Sequence, residues 1–281
     1  MTLISMNSPL EPGLYIVATP IGNLSDLSPR AAAILSRADL LAVEDSRVTA
    51  KLLNHIGVKR PMTPYHDHNA ERVRPGLIDQ MREKAVALVS DAGTPLISDP
   101  GFKLVREARA AGIAVTTVPG PSAAIAALTL AGLPTDRFAF FGFLPAKAGA
   151  RAAAIAEAAS FGGTLIFYES GPRLGVGLAA LRDGLGDRDA AVVREISKAF
   201  EETVAGPLGE LAERYAAAPP KGEIVIVVGP PAEPPPADEA QMDAALREAL
   251  ARLSPSRAAA EVAERLGLSR RAVYERAQQL K

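Results

Sequence analysis

Short apolar runs recur along the chain, and amphipathic stretches fill most of the spaces between them. The runs near 14–18, 40–44, 85–90, 113–118, 137–143, 163–168, 190–194 and 223–228 predict β-strands, with helices between most of them. Such alternation predicts an α/β fold with mainly parallel sheet. Helix punctuation agrees. Ser28-Pro29 places a capping hydroxyl before a proline suited to the first helical position, and Gly57 and Gly112 stand where helices should stop. Pro75 interrupts the helical pattern of Asn69 to Lys84 and predicts a late start or a kink.

Three of the predicted strands run into turns of one chemical type. Leu14 to Ala18 enters Thr19-Pro20-Ile21-Gly22-Asn23, Ala85 to Val89 enters Ser90 to Gly101, and Ile113 to Val118 enters Pro119-Gly120-Pro121-Ser122. In an open α/β sheet such strand-end turns gather along one edge, where ligands bind. One shared crevice is therefore expected, built by residues 13–119. After Pro134 the glycine-rich turns thin out, and a second α/β unit is expected over 120–229.

Residues 230–239 are rich in proline and read as a semi-rigid linker, followed by a helical module over 240–281. In that module Pro255 to Leu266 carries Ala258, Val262 and Leu266 on one face. Gly267 makes a turn, and Ser269 is placed to cap a second helix bearing Val273 and Leu280. This pattern resembles a helix-turn-helix. From Ser254 onward six basic residues stand against three acidic ones, and Arg270 and Arg271 open the second helix, where a nucleic-acid reader makes its contacts. A plain helical bundle with a solvated charged face fits the same residues.

Composition narrows the chemistry. The 281 residues contain no cysteine and three histidines, which removes thiolate nucleophiles, disulfides and cysteine-based zinc sites, and no metal site is expected. The net charge of -1 gives no general attraction to nucleic acid, so any RNA contact must be local. Ala123 to Leu133, the longest largely apolar run, is about half of the ~20 residues that a membrane span requires. A soluble, cytoplasmic protein is expected. Neither G-x-G-x-x-G after the first strand nor G-x-x-x-x-G-K-[ST] is present, which speaks against dinucleotide and phosphate-loop sites.

Five ordered motifs resemble the tetrapyrrole methylase superfamily. They are Thr19 to Leu24, Glu44-Asp45-Ser46-Arg47, Tyr65 to Asn69, Ser90 to Pro95 with Ser98 to Gly101, and Pro119 to Ala123. Within that superfamily they are most similar to the 16S rRNA (cytidine-2'-O)-methyltransferases, over Gly13 to about Pro230, and the tail matches an extra domain of that branch. The resemblance implies a class III methyltransferase fold of two α/β domains, S-adenosyl-L-methionine in the cleft between them, a homodimer, and 16S rRNA in the small ribosomal subunit as partner. Carried over by motif, cofactor contacts fall on Pro20, on Ala92, Gly93, Thr94 and Ile97, on Ser122 and Ala123, and on Glu169 and Ser197. The branch usually has a histidine in the motif that reads Tyr168-Glu169-Ser170-Gly171-Pro172-Arg173 here, so no histidine at that place can be an indispensable base.

Catalytic candidates come from three places. His66 is a base by type, in a polar loop after a short strand, and it serves equally well to order that loop through Asp67 and Asn69. Glu44, Asp45 and Arg47 follow the strand at 40–44. Arg47 suits an RNA phosphate and an acid suits the ribose hydroxyl, while an internal ion pair accounts for the trio as well. Lys198, with Glu201-Glu202, resembles a further family motif facing the cleft. Two other functions stay open: a non-catalytic nucleic-acid binder, and a methylase acting on a corrin-type ring.

Overall fold

The computed structural model describes residues 9–232 and 239–280. Most of the proline-rich linker expected at 230–239 lies outside them. The chain divides into two compact units, one ending at Pro231 and the other beginning at Ala232.

The first unit contains two five-stranded sheets. Strands β1 (Gly13–Val17), β2 (Leu40–Val43), β3 (Met62–Pro64), β4 (Ala85–Val89) and β5 (Val115–Val118) form an all-parallel sheet in the order β3-β2-β4-β1-β5. Helices cover both faces: α1 (Pro29–Arg37), α2 (Ser46–His55), α3 (Ala70–Gln80) and α4 (Phe102–Ala110). The period-two alternation of the strands sorts their side chains. Val17, Leu41, Val43 and Val89 pack in one core with Ile34, Leu35 and Leu52, whereas Leu14, Ala42, Val86 and Leu88 pack in another with Leu77 and Leu104. A strand buried on both faces reads as a continuous apolar run, as Ala85 to Val89 does.

Helix punctuation follows the expected chemistry. Ser28 Oγ accepts the N–H of Ala31 at 3.1 Å with Pro29 in the first turn, and Gly57 and Gly112 take left-handed φ values of 71° and 72° just past α2 and α4. Pro75 departs from expectation, because α3 starts at Ala70 and runs through it as one helix. The helix also stops at Gln80, short of Lys84.

The second sheet corrects the expectation of mainly parallel pairing. It holds β6 (Phe138–Phe143), β7 (Thr164–Ser170), β8 (Asp189–Arg194), β9 (Glu202–Pro207) and β10 (Glu223–Val228), in the order β6-β7-β10-β8-β9. Only β6 and β7 are parallel, and β10 runs antiparallel to both neighbours. Helix α5 (Ala123–Leu130) covers one face against Ile166, Val193 and Val225, while α6 (Ala148–Ala159), α7 (Leu174–Leu185) and α8 (Leu208–Ala217) cover the other against Leu165, Phe167 and Ile226. Doubly buried strands are apolar in either direction, so their pattern could not reveal the pairing. Strands β3 and β9, absent from the expected strand set, are short or alternate half-buried with exposed residues.

The second unit is a bundle of α9 (Glu239–Leu250), α10 (Pro255–Leu266) and α11 (Arg270–Gln279). Leu246, Ala258, Val262, Val273 and Ala277 are its buried centre, with Leu266 and Leu280 packed at the edge. Gly267 ends α10 in the left-handed conformation at φ 64°. Ser269 stands at the start of α11, but its hydroxyl makes no capping bond.

Candidate active site

The three turns singled out in the sequence meet at the carboxyl edge of the first sheet. Thr19 and Gly93 form an antiparallel bridge in which the Thr19 N–H donates to Gly93 O at 2.8 Å and the Gly93 N–H to Thr19 O at 3.2 Å. Thr94 Oγ1 donates to Pro121 O at 3.0 Å, tying the second turn to the third. Two glycines make this closeness possible. Gly93 sits at φ 80°, and a Cβ at Gly120 would stand 2.9 Å from the Cβ of Ala18.

Between these turns and the second sheet lies a cavity of about 260 Å³. The first lobe lines it with Ile21, Glu44, residues 91–94 and residues 97–99, and the start of α5 adds Ser122 and Ala123. The second lobe adds Phe143, Tyr168, Glu169, Ile196 and the beginning of β10. Antiparallel pairing explains that last contribution: Glu223 is in register with Ser170 and Ile224 with Glu169, so the first residues of β10 lie beside the last of β7.

Five carboxylates line the cavity, Glu44, Asp91, Asp99, Glu169 and Glu223, and among the described residues no Lys, Arg or His does. Burial pushes the Asp99 carboxyl up to about 6, helped by the negative charge of Glu44 and opposed by a hydrogen bond from Ser90. Burial raises Glu44 and Asp91 as well. Glu169 is 1% exposed; its Oε1 accepts the Ser170 N–H at 2.8 Å, and its Oε2 lies 3.3 Å from the Arg173 guanidinium without a hydrogen bond.

The residues expected from the sequence divide. Ala92, Gly93, Thr94, Ile97, Ser122, Ala123 and Glu169 line the cavity, and Glu44 joins them. Pro20 stands one residue before the lining Ile21. Ser197 follows the lining Ile196 but turns its hydroxyl to Asp26 of the first lobe. Lys198 also stands outside, because its ammonium pairs with Glu195 at 2.9 Å and Glu223 at 2.8 Å, and its stem packs where a side chain on Gly22 would go. Glu195 and Ser197 adopt left-handed φ values of 50° and 66°, so this lobe-joining loop holds strained backbone.

The trio at the end of β2 separates. Glu44 faces the cavity, whereas Asp45 caps α2 through the Arg47 N–H at 2.8 Å and pairs with the Arg47 guanidinium at 2.5 Å. That guanidinium holds the Asp45 carboxyl down at about 2, and the Arg47 side chain is 87% exposed, away from the cavity. His66 is not on the cavity wall either. Its backbone N–H donates to Asn69 Oδ1 at 2.9 Å, and Asn69 Nδ2 donates to Pro64 O, which is loop ordering through Asn69. Asp91 and Asp99 lay inside a motif already singled out, but no periodicity marked them as facing inward. Glu223 carried no sequence signal, because its place depends on strand direction.

Residues 13–212 match the family model of the tetrapyrrole (corrin/porphyrin) methylases, and residues 236–281 match the RsmI C-terminal HTH domain. Relatives named ribosomal RNA small subunit methyltransferase I include one from Erythrobacter litoralis, 53% identical over 97% of this chain and 97% of its own. Others come from Mesorhizobium japonicum, 49% identical over 97% and 94%, and Escherichia coli O157:H7, 45% identical over 93% and 93%. Similar solved structures include a diphthine synthase, with a TM-score of 0.62 and 17% identity over 77% of this chain and 89% of that one. Another is uroporphyrin-III C-methyltransferase from Thermus thermophilus complexed with S-adenyl homocysteine, with a TM-score of 0.54 and 22% identity over 77% and 97%. At these identities the structural likeness is one of fold. Among the described residues, no helix is long and apolar enough to cross a membrane.

Proposed function

The chain belongs to the tetrapyrrole (corrin/porphyrin) methylases and, within them, to the ribosomal RNA small subunit methyltransferase I group, and from that premise we propose that it methylates the ribose 2'-oxygen of a cytidine in the decoding region of 16S rRNA. The donor is S-adenosyl-L-methionine. The observation that carries this reading is the cavity where three strand-end turns meet five carboxylates. A donor bearing a sulfonium and an ammonium group is attracted to such a wall, whereas a phosphate-rich cofactor is repelled by it.

The residues present fit that donor. Glu169, buried with one oxygen lacking a hydrogen bond, offers an acceptor, and Gly93 leaves open the space a side chain would take. Ala92, Thr94 and Ile97 line the same wall. Ser122 lines the cavity and makes no side-chain cap on α5, so its hydroxyl is available to the donor, while the Ala124 N–H behind it is engaged by the Tyr168 hydroxyl. When bound, the donor supplies an electrophilic methyl group on positively charged sulfur.

The chain's own contribution is chiefly alignment. Holding two reactants in line can lower a barrier by ~7–11 kcal/mol, whereas a general base typically adds about 10²–10⁴-fold. The interlocked turns, and the Ser197 hydroxyl and Lys198 stem that reach Asp26 and Gly22 of the first lobe, fix the walls of the cavity, which is what alignment requires. The appended three-helix module supports a large, particulate substrate rather than a small ring, with Arg270 and Arg271 opening α11. Exposed Phe102 and Phe200 leave apolar surface for the second copy of a homodimer.

The test is direct. Purified protein with methyl-labelled donor should label small ribosomal subunits that lack the modification, on the 2'-oxygen of a single cytidine. Label absent from the subunits, or found on a base, refutes the assignment.

A further inference from the structure

We propose that Asp99 is the group that takes the proton from the ribose 2'-hydroxyl, an inference that rests on the reaction assigned above. Of the five carboxylates on the cavity wall, four are engaged by protein donors. Glu223 is paired with Lys198 at 2.8 Å, and Glu169 accepts the Ser170 N–H at 2.8 Å through one oxygen, with the other beside the Arg173 guanidinium. Asp91 accepts the Asp45 N–H at 3.0 Å, and Glu44 accepts the Asp91 N–H at 3.4 Å. Asp99 has no cation and no N–H partner among the described residues, only the hydroxyl of Ser90. It therefore keeps lone pairs to offer to a ligand.

The backbone holds it there under strain. Leu96 and Ser98 take left-handed φ values of 76° and 63°, and a side chain at Gly101, φ 137°, would press on Leu88 and Leu96. Strained non-glycine residues flanking a cavity-facing acid are what an imposed orientation produces. The same loop reaches the second lobe, where a Cβ at Gly142, at the bulge of β6, would stand 3.2 Å from Ser98 Oγ. Asp99 thus sits on a loop where the two lobes meet.

The proton balance favours a buried carboxylate. The ribose O–H bond breaks, its electron pair forms the bond to the methyl carbon, and the proton passes to an Asp99 oxygen. The pair of the broken carbon–sulfur bond stays on sulfur and cancels its charge. One cation and one carboxylate become a neutral thioether and a carboxylic acid, and the proton then leaves to water through the open cavity. Burial, which disfavours charge, drives that direction. The groups facing Asp99 reinforce it: Glu44 after β2 and Asp91 after β4 add negative charge, with Tyr168 of β7 opposite. Asp67 and His66 act on Glu44 with opposite sign.

The experiment uses the full chain and Asp99→Asn. S-adenosylhomocysteine affinity by calorimetry should change less than about threefold, while single-turnover methyl transfer should fall about 10²–10³-fold. The wild-type rate should rise through an acid limb near pH 6, and the variant should lack that limb. Independently of turnover, carboxyl-carbon NMR of the wild-type protein should show Asp99 titrating well above the ordinary range near 3.9. Asp99→Glu should recover part of the rate. A variant within threefold of wild type, a rate lost only through donor affinity, a persistent acid limb, or ordinary titration of Asp99 each overturns the proposal. Wild-type protein inactive on small subunits refutes the parent assignment instead, so the two failures are distinguishable.

Discussion

The first sheet is parallel throughout, whereas in the second β10 runs against both of its neighbours. Parallel strands send all their carboxyl ends to one edge, so the first lobe builds its half of the cavity from turns: Ile21, Glu44, residues 91–94 and residues 97–99. The second lobe builds its half from strand ends of opposite polarity, placing Tyr168 and Glu169 of β7 beside Glu223 to Val225 of β10. One half is backbone-rich and held by glycine; the other is a set of side chains held by register and ion pairs.

The largest effect should come from breaking the backbone half. Gly93→Val places a β-branched residue at φ 80° with its Cβ 3.3 Å from Ile21. At roughly 1–3 kcal/mol of strain, plus displacement of the bridge to Thr19, it should weaken S-adenosylhomocysteine binding about 100-fold or more by calorimetry. An unchanged affinity would show that the turn yields without loss.

The side-chain half should respond less. Glu169→Ala leaves the Arg173 guanidinium, 36% exposed, without its carboxylate. A loss of about 1–3 kcal/mol in urea unfolding is expected, below the fully buried limit because water reaches Arg173. A loss as large as that of a fully buried pair would mean the second lobe depends on this contact more than its exposure implies.

Truncation after Gly229 separates the sheets from the helical module. Because the two units have separate cores, donor affinity should persist while turnover on ribosomal particles falls about tenfold. Equal turnover would remove the module from substrate docking.

A smaller effect tests the acid-rich wall itself. Asp99 has a folded value of about 6, raised above the ~3.9 of an unfolded chain. Between those values the folded state binds more protons, so its stability falls as pH rises and the penalty is complete above about pH 7. Asp99→Asn should therefore melt higher than wild type at pH 8 and about the same at pH 4. Least of all, Arg47→Ala should leave the urea-unfolding midpoint essentially unchanged, since its pair with Asp45 is solvent-screened.

The reach of the sequence follows the same division. Turn chemistry is local: Thr19 to Asn23, Ser90 to Gly101 and Pro119 to Ser122 carry glycine and proline that fix their own conformation, and these turns were legible together with most strands and the helix stops at Gly57 and Gly112. Lys198 was legible as a charge near the right motif but not as an ion pair, because nothing local says that Glu223 will reach it, whereas the pair of Arg47 with Asp45, two residues apart, was one of the two accounts the sequence offered.

What the sequence determined by itself was the order of apolar strands and helices, the glycine-bent turns and the separate helical tail, since each depends on residues within a few positions of one another. The tertiary structure alone decided the direction of β10, the delivery of Glu223 to the cavity and, among the described residues, the lack of a cation beside Asp99. Those depend on pairings between segments far apart in the chain, and a strand buried on both faces is equally apolar whichever way it runs.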